Sequence, residues 1–171
     1  MCSSEKKRPE AELKQAARYV TYEISQFKWV ASWFVRDEYS EWCVPAEMEQ
    51  VGTGHHRYAQ NCMLECLLLH TRLLYEFLTR ETSWHDDDIL AVDFVEDPNE
   101  WTRPCFRYLN DDRIQRINKA LAHLSYSRRE YIGDRKLWDV RAIVTDIEAA
   151  WEHFMSHLDS DRRKWFEQPL A

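Results

Sequence analysis

The sequence predicts an all-α protein, an up-down four-helix bundle, and three observations lead to this class. Glycine and proline are scarce, at three and five residues, whereas sandwiches and barrels need many turn residues. Four segments place apolar residues three or four positions apart, which is the period of one helix face. A chain of 171 residues can bury the core of one domain. We assign that domain to residues 9–168 and expect residues 1–8 to form a disordered leader.

The first helix is predicted from Pro9 to about residue 36. Pro9 suits a first helical turn, because its missing N–H would have no partner there. One apolar stripe runs along the segment: Leu13, Ala17, Val20, Ile24, Phe27, Ala31 and Phe34. Trp29 and Trp33 lie four positions apart on a neighbouring face, so we expect this helix to be buried on two sides. A loop follows, in which residues 41–50 are predicted to form a short helical turn.

The second helix is predicted over residues 55–80. Its middle is apolar nearly all round, which is typical of the central helix of a bundle. It also carries a stripe of polar residues at spacings of four, seven and four positions: Asn61, Glu65, Arg72 and Glu76. A buried charge must be paired or it costs several kcal/mol. The stripe is therefore either a partly exposed face or a partnered polar network inside the bundle.

The long connection between the second and third helices, residues 81–110, is predicted to contain short extra helices. The segment ILAVDF follows the aspartates at positions 86–88, which suit the positive end of a helix. The same carboxylates could hold Mg²⁺ or Ca²⁺, but their spacing fits no EF-hand loop. We therefore interpret them as capping and solvated residues.

Charge is spread unevenly along a chain whose formal net charge is −7. This balance argues against general, non-specific binding to nucleic acid. Residues 81–101 contain eight acidic residues and no Lys or Arg, whereas residues 103–136 contain nine basic and four acidic residues. We therefore expect a local basic surface, which the acidic stretch either covers or neutralises in the fold.

The third helix is predicted over residues 111–129 and the fourth over residues 137–165. Four helices linked in sequence most simply alternate in direction. In this topology the end of the third helix lies level with the start of the second. We therefore expect His123 near Asn61 or Glu65, where a hydrogen bond would orient the imidazole.

The polar side of the third helix carries the candidate functional residues. Arg116 and His123 lie seven positions apart, which is two helical turns, so both point the same way. A histidine can move the proton of a ribose hydroxyl or of a leaving oxygen, and an arginine can stabilise the charged phosphoryl group. The structural alternative is a core histidine held by a hydrogen bond. The candidate supporting contacts are Asn118, Lys119, Tyr126 and Arg128.

The segment Arg116-Ile-Asn-Lys-Ala-Leu-Ala-His123 resembles the motif of the HEPN superfamily. The resemblance implies a small all-helical bundle, often dimeric. Many members of that family are metal-independent endoribonucleases of defence, toxin–antitoxin and CRISPR-linked systems, and others are inactive binding versions. Active members usually carry a polar residue directly after the arginine. In this chain Ile117 stands at that position and Asn118 follows it.

These patterns together predict a non-catalytic HEPN-like interaction module, a homodimer that binds a protein or RNA partner. The acidic net charge and the position of Ile117 favour this reading. The alternative is a metal-independent endoribonuclease of a bacterial defence or toxin–antitoxin type that uses Arg116 and His123. Three glycines leave no room for phosphate-binding or dinucleotide loops, so we predict no cofactor.

A metal site and a membrane segment are the two remaining questions that the sequence addresses. His153 and His157 lie four positions apart, a spacing that can bind Zn²⁺, Ni²⁺ or iron, but a solvated helix end is the preferred interpretation and we predict no metal. The five cysteines show no zinc-ribbon spacing.

No run approaches the ~20 apolar residues of a membrane span, and the first residues lack the apolar run of a signal peptide. We therefore predict a soluble, cytoplasmic protein without a membrane partner.

Overall fold

A computed structural model of the chain describes residues 8–36, 54–122 and 138–167. Within these ranges it contains five α-helices and no β-strand, so the predicted all-α class is confirmed. The helices are α1 (Glu10–Arg36), α2 (Gly54–Thr79), α3 (Asp111–Ala122), α4 (Val140–Ser156) and α5 (Ser160–Phe166). A turn of 3-10 helix, Ala91–Phe94, lies in the connection between α2 and α3.

The first two helices have the bounds that hydrophobic periodicity predicts, to within one or two residues. α1 begins directly after Pro9, whose carbonyl accepts the N–H groups of Glu12 and Leu13 at 3.0 and 3.1 Å. Residues 1–7 of the predicted leader (1–8) and the predicted turn over 41–50 lie outside the described residues. So does the continuation of the third helix beyond Ala122.

The second helix is the central element of the core. α2 packs against α1, α3, α4 and the 3-10 helix. Its inner side is fully buried at Leu67, Thr71 and Leu78. The hydroxyl of Thr71 donates to the carbonyl of Leu67 at 2.8 Å, so this polar group is satisfied inside the helix and needs no other partner.

An aromatic cluster closes the core where α2, α4, α5 and the 3-10 helix meet. Phe154 contacts Phe77 and Phe166 edge to face, with ring centroids 5.2 Å apart in both pairs. Phe94 contacts Phe166 at the same centroid distance. Such arrangements place a positive ring edge against a negative ring face and stabilise beyond area burial alone.

The continuous last helix predicted over residues 137–165 is wrong, because the chain forms two helices there. The chain leaves the helix at His157, and the Asp159 carboxylate accepts the N–H groups of Asp161 and Arg162, both at 2.8 Å. Asp159 is thus an N-cap that starts α5 in a new direction. Apolar residues recur at helical spacing on both sides of the break. They do so because α5 places Trp165 in the same core as the apolar residues of α4.

None of the described helices is both long and apolar enough to cross a membrane.

Candidate functional site

The guanidinium of Arg116 on α3 lies over the ring of Trp138, 4.0 Å from the ring centroid. Arg116 is half-buried and Trp138 is buried, so the arginine covers the tryptophan through a cation–π contact. Lys119, predicted on the same face, is exposed. The other members of the predicted catalytic group lie outside the described residues: His123, Tyr126 and Arg128.

Asn118, the predicted supporting contact beside Arg116, lies toward the inner side of α3. Its Oδ1 atom is buried and has no hydrogen-bond partner among the described residues. The preceding Ile117 is fully buried. The Oδ1 atom of this amide therefore faces the interior of the protein and not its surface.

The polar stripe of α2 lies along a partly exposed face of that helix. Arg72 Nε donates to Glu76 Oε1 at 2.9 Å, and both side chains are half-buried. Glu65 is exposed and Asn61 is half-buried. The structure therefore pairs two members of the stripe within one helix turn, where such pairs stabilise a helix by a few tenths of a kcal/mol.

The two histidines at the end of α4 attach the connection to that helix. His153 Nε2 donates to the carbonyl of Thr102 at 2.8 Å, and His157 Nδ1 donates to the carbonyl of His153 at 2.8 Å. Trp101 packs against both imidazoles, with centroid distances of 5.6 and 5.4 Å. Among the described residues no group of three His, Cys, Asp or Glu side chains is placed to hold a metal ion.

Asp146, which is not among the residues predicted from the sequence, anchors the end of the connection to α4. The residue is 5% exposed, and its carboxylate accepts the N–H groups of Arg107, Tyr108 and Leu109 at 3.0, 2.7 and 2.7 Å. Three charge-assisted hydrogen bonds satisfy the buried charge. The signal in the sequence is an acidic residue on the apolar face of an amphipathic helix.

A second unpredicted contact joins α1 to α2. Glu23 Oε2 lies 2.6 Å from Nδ1 of the buried His70. Tyr22 contacts the same imidazole edge to face, with centroids 6.3 Å apart. Burial, and then the negative charge of Glu23, raises the pKa of the neighbouring Cys66 thiol. The sequence signal for this contact is the one histidine within the apolar run of α2.

Large apolar side chains are exposed along the outer side of α1. Tyr19, Tyr22, Trp29 and Trp33 are 57, 48, 56 and 60% exposed. The expectation that α1 is buried on two sides is therefore not met within the described part of a single chain. The rings of Trp29 and Trp33 contact each other edge to face, 6.1 Å apart, so their positions are mutually restricted.

The exposed apolar residues of α2 continue this surface. They are Tyr58, Leu69 and Leu73. Leu69 and Leu73 flank His70 on α2, and Tyr22 on α1 contacts the His70 ring. Leu69 and Leu73 therefore lie where α1 and α2 pack, and Tyr58 lies about three turns earlier along α2. We call the combination of the two sets the α1–α2 apolar face, with the members Tyr19, Tyr22, Trp29, Trp33, Tyr58, Leu69 and Leu73.

Comparisons with protein-family models, with curated proteins and with solved structures find no match to this chain. Seven of the eight large apolar side chains that are exposed among the described residues belong to the α1–α2 apolar face.

Proposed function

We propose that the chain is a non-catalytic helical interaction module that binds a protein partner through the α1–α2 apolar face. One observation carries this proposal: seven large apolar side chains are exposed on adjoining sides of two long helices. Single exposed apolar residues are common, but contiguous ones rimmed by polar residues mark interaction sites. Tyr and Trp make up five of the seven, and these residue types are enriched where proteins bind each other.

The proposal includes the up-down four-helix arrangement and a HEPN-like bundle. Three contacts support the alternating directions. Arg8, just before α1, donates to the carbonyl of Asp86, which follows α2. Tyr75, near the end of α2, donates to Asp111 at the start of α3, at 3.0 Å. Phe77, two residues before the end of α2, contacts Phe154 near the end of α4.

A metal-independent endoribonuclease that uses Arg116 and His123 is the alternative, and the position of Arg116 disfavours it. A catalytic arginine must reach a scissile phosphate with its donors. Here the guanidinium lies over the Trp138 ring and the residue is half-buried. An inactive, binding version of the bundle agrees better with this packing role.

The proposal is tested by photo-crosslinking in the cells that make the protein. A benzophenone amino acid replaces Trp29 in one variant and Trp84 in the other. Trp84 is the matched control because it is 73% exposed and lies outside the α1–α2 apolar face. We expect a discrete cross-linked protein from position 29 and none from position 84. Equal labelling, or none from either position, would contradict the proposal.

The enzymatic alternative is tested by incubating the protein with mixed RNA in EDTA. We compare the wild type with Arg116→Ala and His123→Ala, after confirming by circular dichroism that each variant is folded. We expect no cleavage by any of the three. Cleavage by the wild type that both folded variants lose would replace the proposed function with metal-independent catalysis.

A further inference from the structure

We infer that the partner at the α1–α2 apolar face is a second copy of this chain, bound by antiparallel pairing of two α1 helices. The inference depends on the proposed function, since it names the occupant of the same face. Four features carry it: the spacing of the exposed residues, their symmetry, their charge and their area.

The exposed aromatic residues of α1, with the half-buried Gln26 between them, have the spacing of a coiled-coil seam. Tyr19, Tyr22, Gln26, Trp29 and Trp33 follow one another at intervals of three, four, three and four positions. This 3.5-residue repeat places side chains where a second helix can receive them. The buried stripe of α1, from Leu13 to Phe34, has the same repeat and packs within the chain. The partner of the outer seam is therefore a helix.

The outer seam is close to symmetric about Gln26. Tyr19 and Trp33 lie seven positions before and after it, and Tyr22 and Trp29 lie four before and three after. A two-fold axis through Gln26 pairs each tyrosine of one copy with a tryptophan of the other. Because an amide carries both donors and an acceptor, two Gln26 side chains can bond to each other at the axis. A single polar pair of this kind fixes the register of a helix pair.

The charge of the seam fits a second copy. None of its five residues is charged, whereas the whole chain has a formal net charge of −7. A partner that recognised an acidic protein by electrostatic attraction would carry basic residues and would find no acid on the seam to pair with. Two acidic copies repel least where both present an uncharged surface, and the seam supplies such a surface on each.

The exposed area suffices for a stable dimer. The four aromatic side chains of α1 are about half exposed, and such side chains present about 150–250 Å² each, so together they offer roughly 400 Å² per copy. Tyr58, Leu69 and Leu73 add on the order of 250 Å². Two copies would bury about 1,300 Å² in total, within the range of specific interfaces.

Sedimentation velocity over a range of protein concentrations tests the second copy as partner. We compare the wild type with the double variant Trp29→Gln/Trp33→Gln and with the control Trp84→Gln. We expect dimers for the wild type and the control, and a dissociation constant at least about 100-fold higher for the double variant. Circular dichroism confirms that the helices persist. A wild type that is monomeric at about 100 μM overturns the inference.

The orientation of the two helices is tested by exchanging charges. Tyr19→Lys and Trp33→Glu are made singly and together. Either single variant should weaken the dimer, because it removes an aromatic ring from the seam and places an unpaired charge in the interface. In the antiparallel arrangement the double variant places the lysine of one copy opposite the glutamate of the other and restores dimerisation. In a parallel arrangement like charges meet, and a double variant weaker than both single variants overturns the inference.

The two proposals fail in different ways. A monomeric wild type whose position 29 cross-links to another protein removes the second copy as partner and leaves the interaction module intact. A monomeric wild type without any cross-link leaves the face without a partner. That result overturns both proposals.

Discussion

At the scale of single residues, Asp146 is a buried acid that holds three consecutive backbone groups of a segment distant in sequence. Its carboxylate holds three consecutive N–H groups, those of Arg107, Tyr108 and Leu109. No helix or strand supplies partners for these donors. Each would lose solvation without compensation if the carboxylate were absent. The structural role of Asp146 is therefore to hold the end of the connection against α4.

Replacing Asp146 should destabilise the protein strongly. Asp146→Asn keeps the size of the side chain but removes its charge and one of its two acceptor oxygens. We expect a loss of about 2–4 kcal/mol in the free energy of unfolding, because hydrogen bonds to charged acceptors are the strong ones. Urea denaturation measures this. The control Glu148→Gln, on an exposed site of the same helix, should stay within about 0.5 kcal/mol of the wild type.

Glu23 should control the reactivity of the Cys66 thiol. Burial and then the Glu23 carboxylate raise the pKa of Cys66. Glu23→Gln removes a negative charge that disfavours the thiolate, so the pKa should fall and alkylation at a given pH should become faster. Peptide-resolved mass spectrometry separates Cys66 from the exposed Cys62 and Cys105. An unchanged rate, with the control Glu65→Gln equal to Glu23→Gln, would contradict this explanation.

At the scale of elements, α1 has two apolar stripes with the same repeat but different chemistry. The inner stripe is mostly aliphatic and lies in the core, whereas the outer one is aromatic and includes Gln26. Periodicity predicted the inner stripe, the bounds of the helix and, of the outer stripe, only the pair Trp29 and Trp33. It could not show that the outer one is exposed, because burial depends on which neighbours a helix has and not on its own spacing.

The connection after α2 begins with a turn held by Asp88, and its stability should depend on pH. Backbone N–H groups of His85 and Trp84, together with Arg80, lower the pKa of Asp88 from 3.8 to about 2. The lowered value means that the carboxylate stabilises the folded chain fully above 3.8 and loses this effect as the pH falls through about 2. The sign follows from the unfolded chain binding the proton more tightly.

Asp88→Asn provides the measurement of this effect. Thermal unfolding of the wild type and of the variant should differ most at neutral pH. The difference should shrink as the pH decreases and disappear near the pKa of about 2. Asp87→Asn, on an exposed neighbour, should show no such convergence. A gap between the wild type and Asp88→Asn that stays constant with pH would exclude the proposed hydrogen bonds.

The last two helices show where sequence reasoning fails at this scale. Apolar spacing ran from α4 through α5 without interruption, so one helix was predicted. The break depends on Asp159. Its carboxylate accepts the N–H groups of Asp161 and Arg162, which a continuous helix would pair with backbone carbonyls four residues earlier. Asp-Ser-Asp within a helical pattern is the local signal for such a start. The direction of α5 after the break is set by packing and cannot be read from spacing.

At the scale of the whole molecule, the contacts that were missed join residues far apart in sequence. Glu23 and His70 are 47 positions apart, and Asp146 is 37 positions from Leu109. A single sequence carries the helical period of each segment but not the pairing of segments. Arg116, which was singled out on α3, packs over the buried Trp138, and no spacing on α3 predicts this contact.

Dimerisation through α1 should make thermal stability depend on protein concentration. Because only the folded chain presents the seam, association stabilises it by mass action. We expect the Tm to rise by about 2 °C for each tenfold increase in concentration. Trp29→Gln/Trp33→Gln should abolish this dependence, and Trp84→Gln should retain it. Scanning calorimetry at three concentrations measures it, and a wild-type Tm independent of concentration would count against self-association.

The carboxylate of Asp146 also has a kinetic consequence for the segment that it holds. Backbone amides outside helices and strands ordinarily exchange their hydrogens with solvent quickly. Those of Arg107, Tyr108 and Leu109 are bonded to a buried group on α4, so they can exchange only when α4 separates from the connection. Deuterium uptake at these three amides therefore reports the opening of the core, although the segment itself has no regular secondary structure.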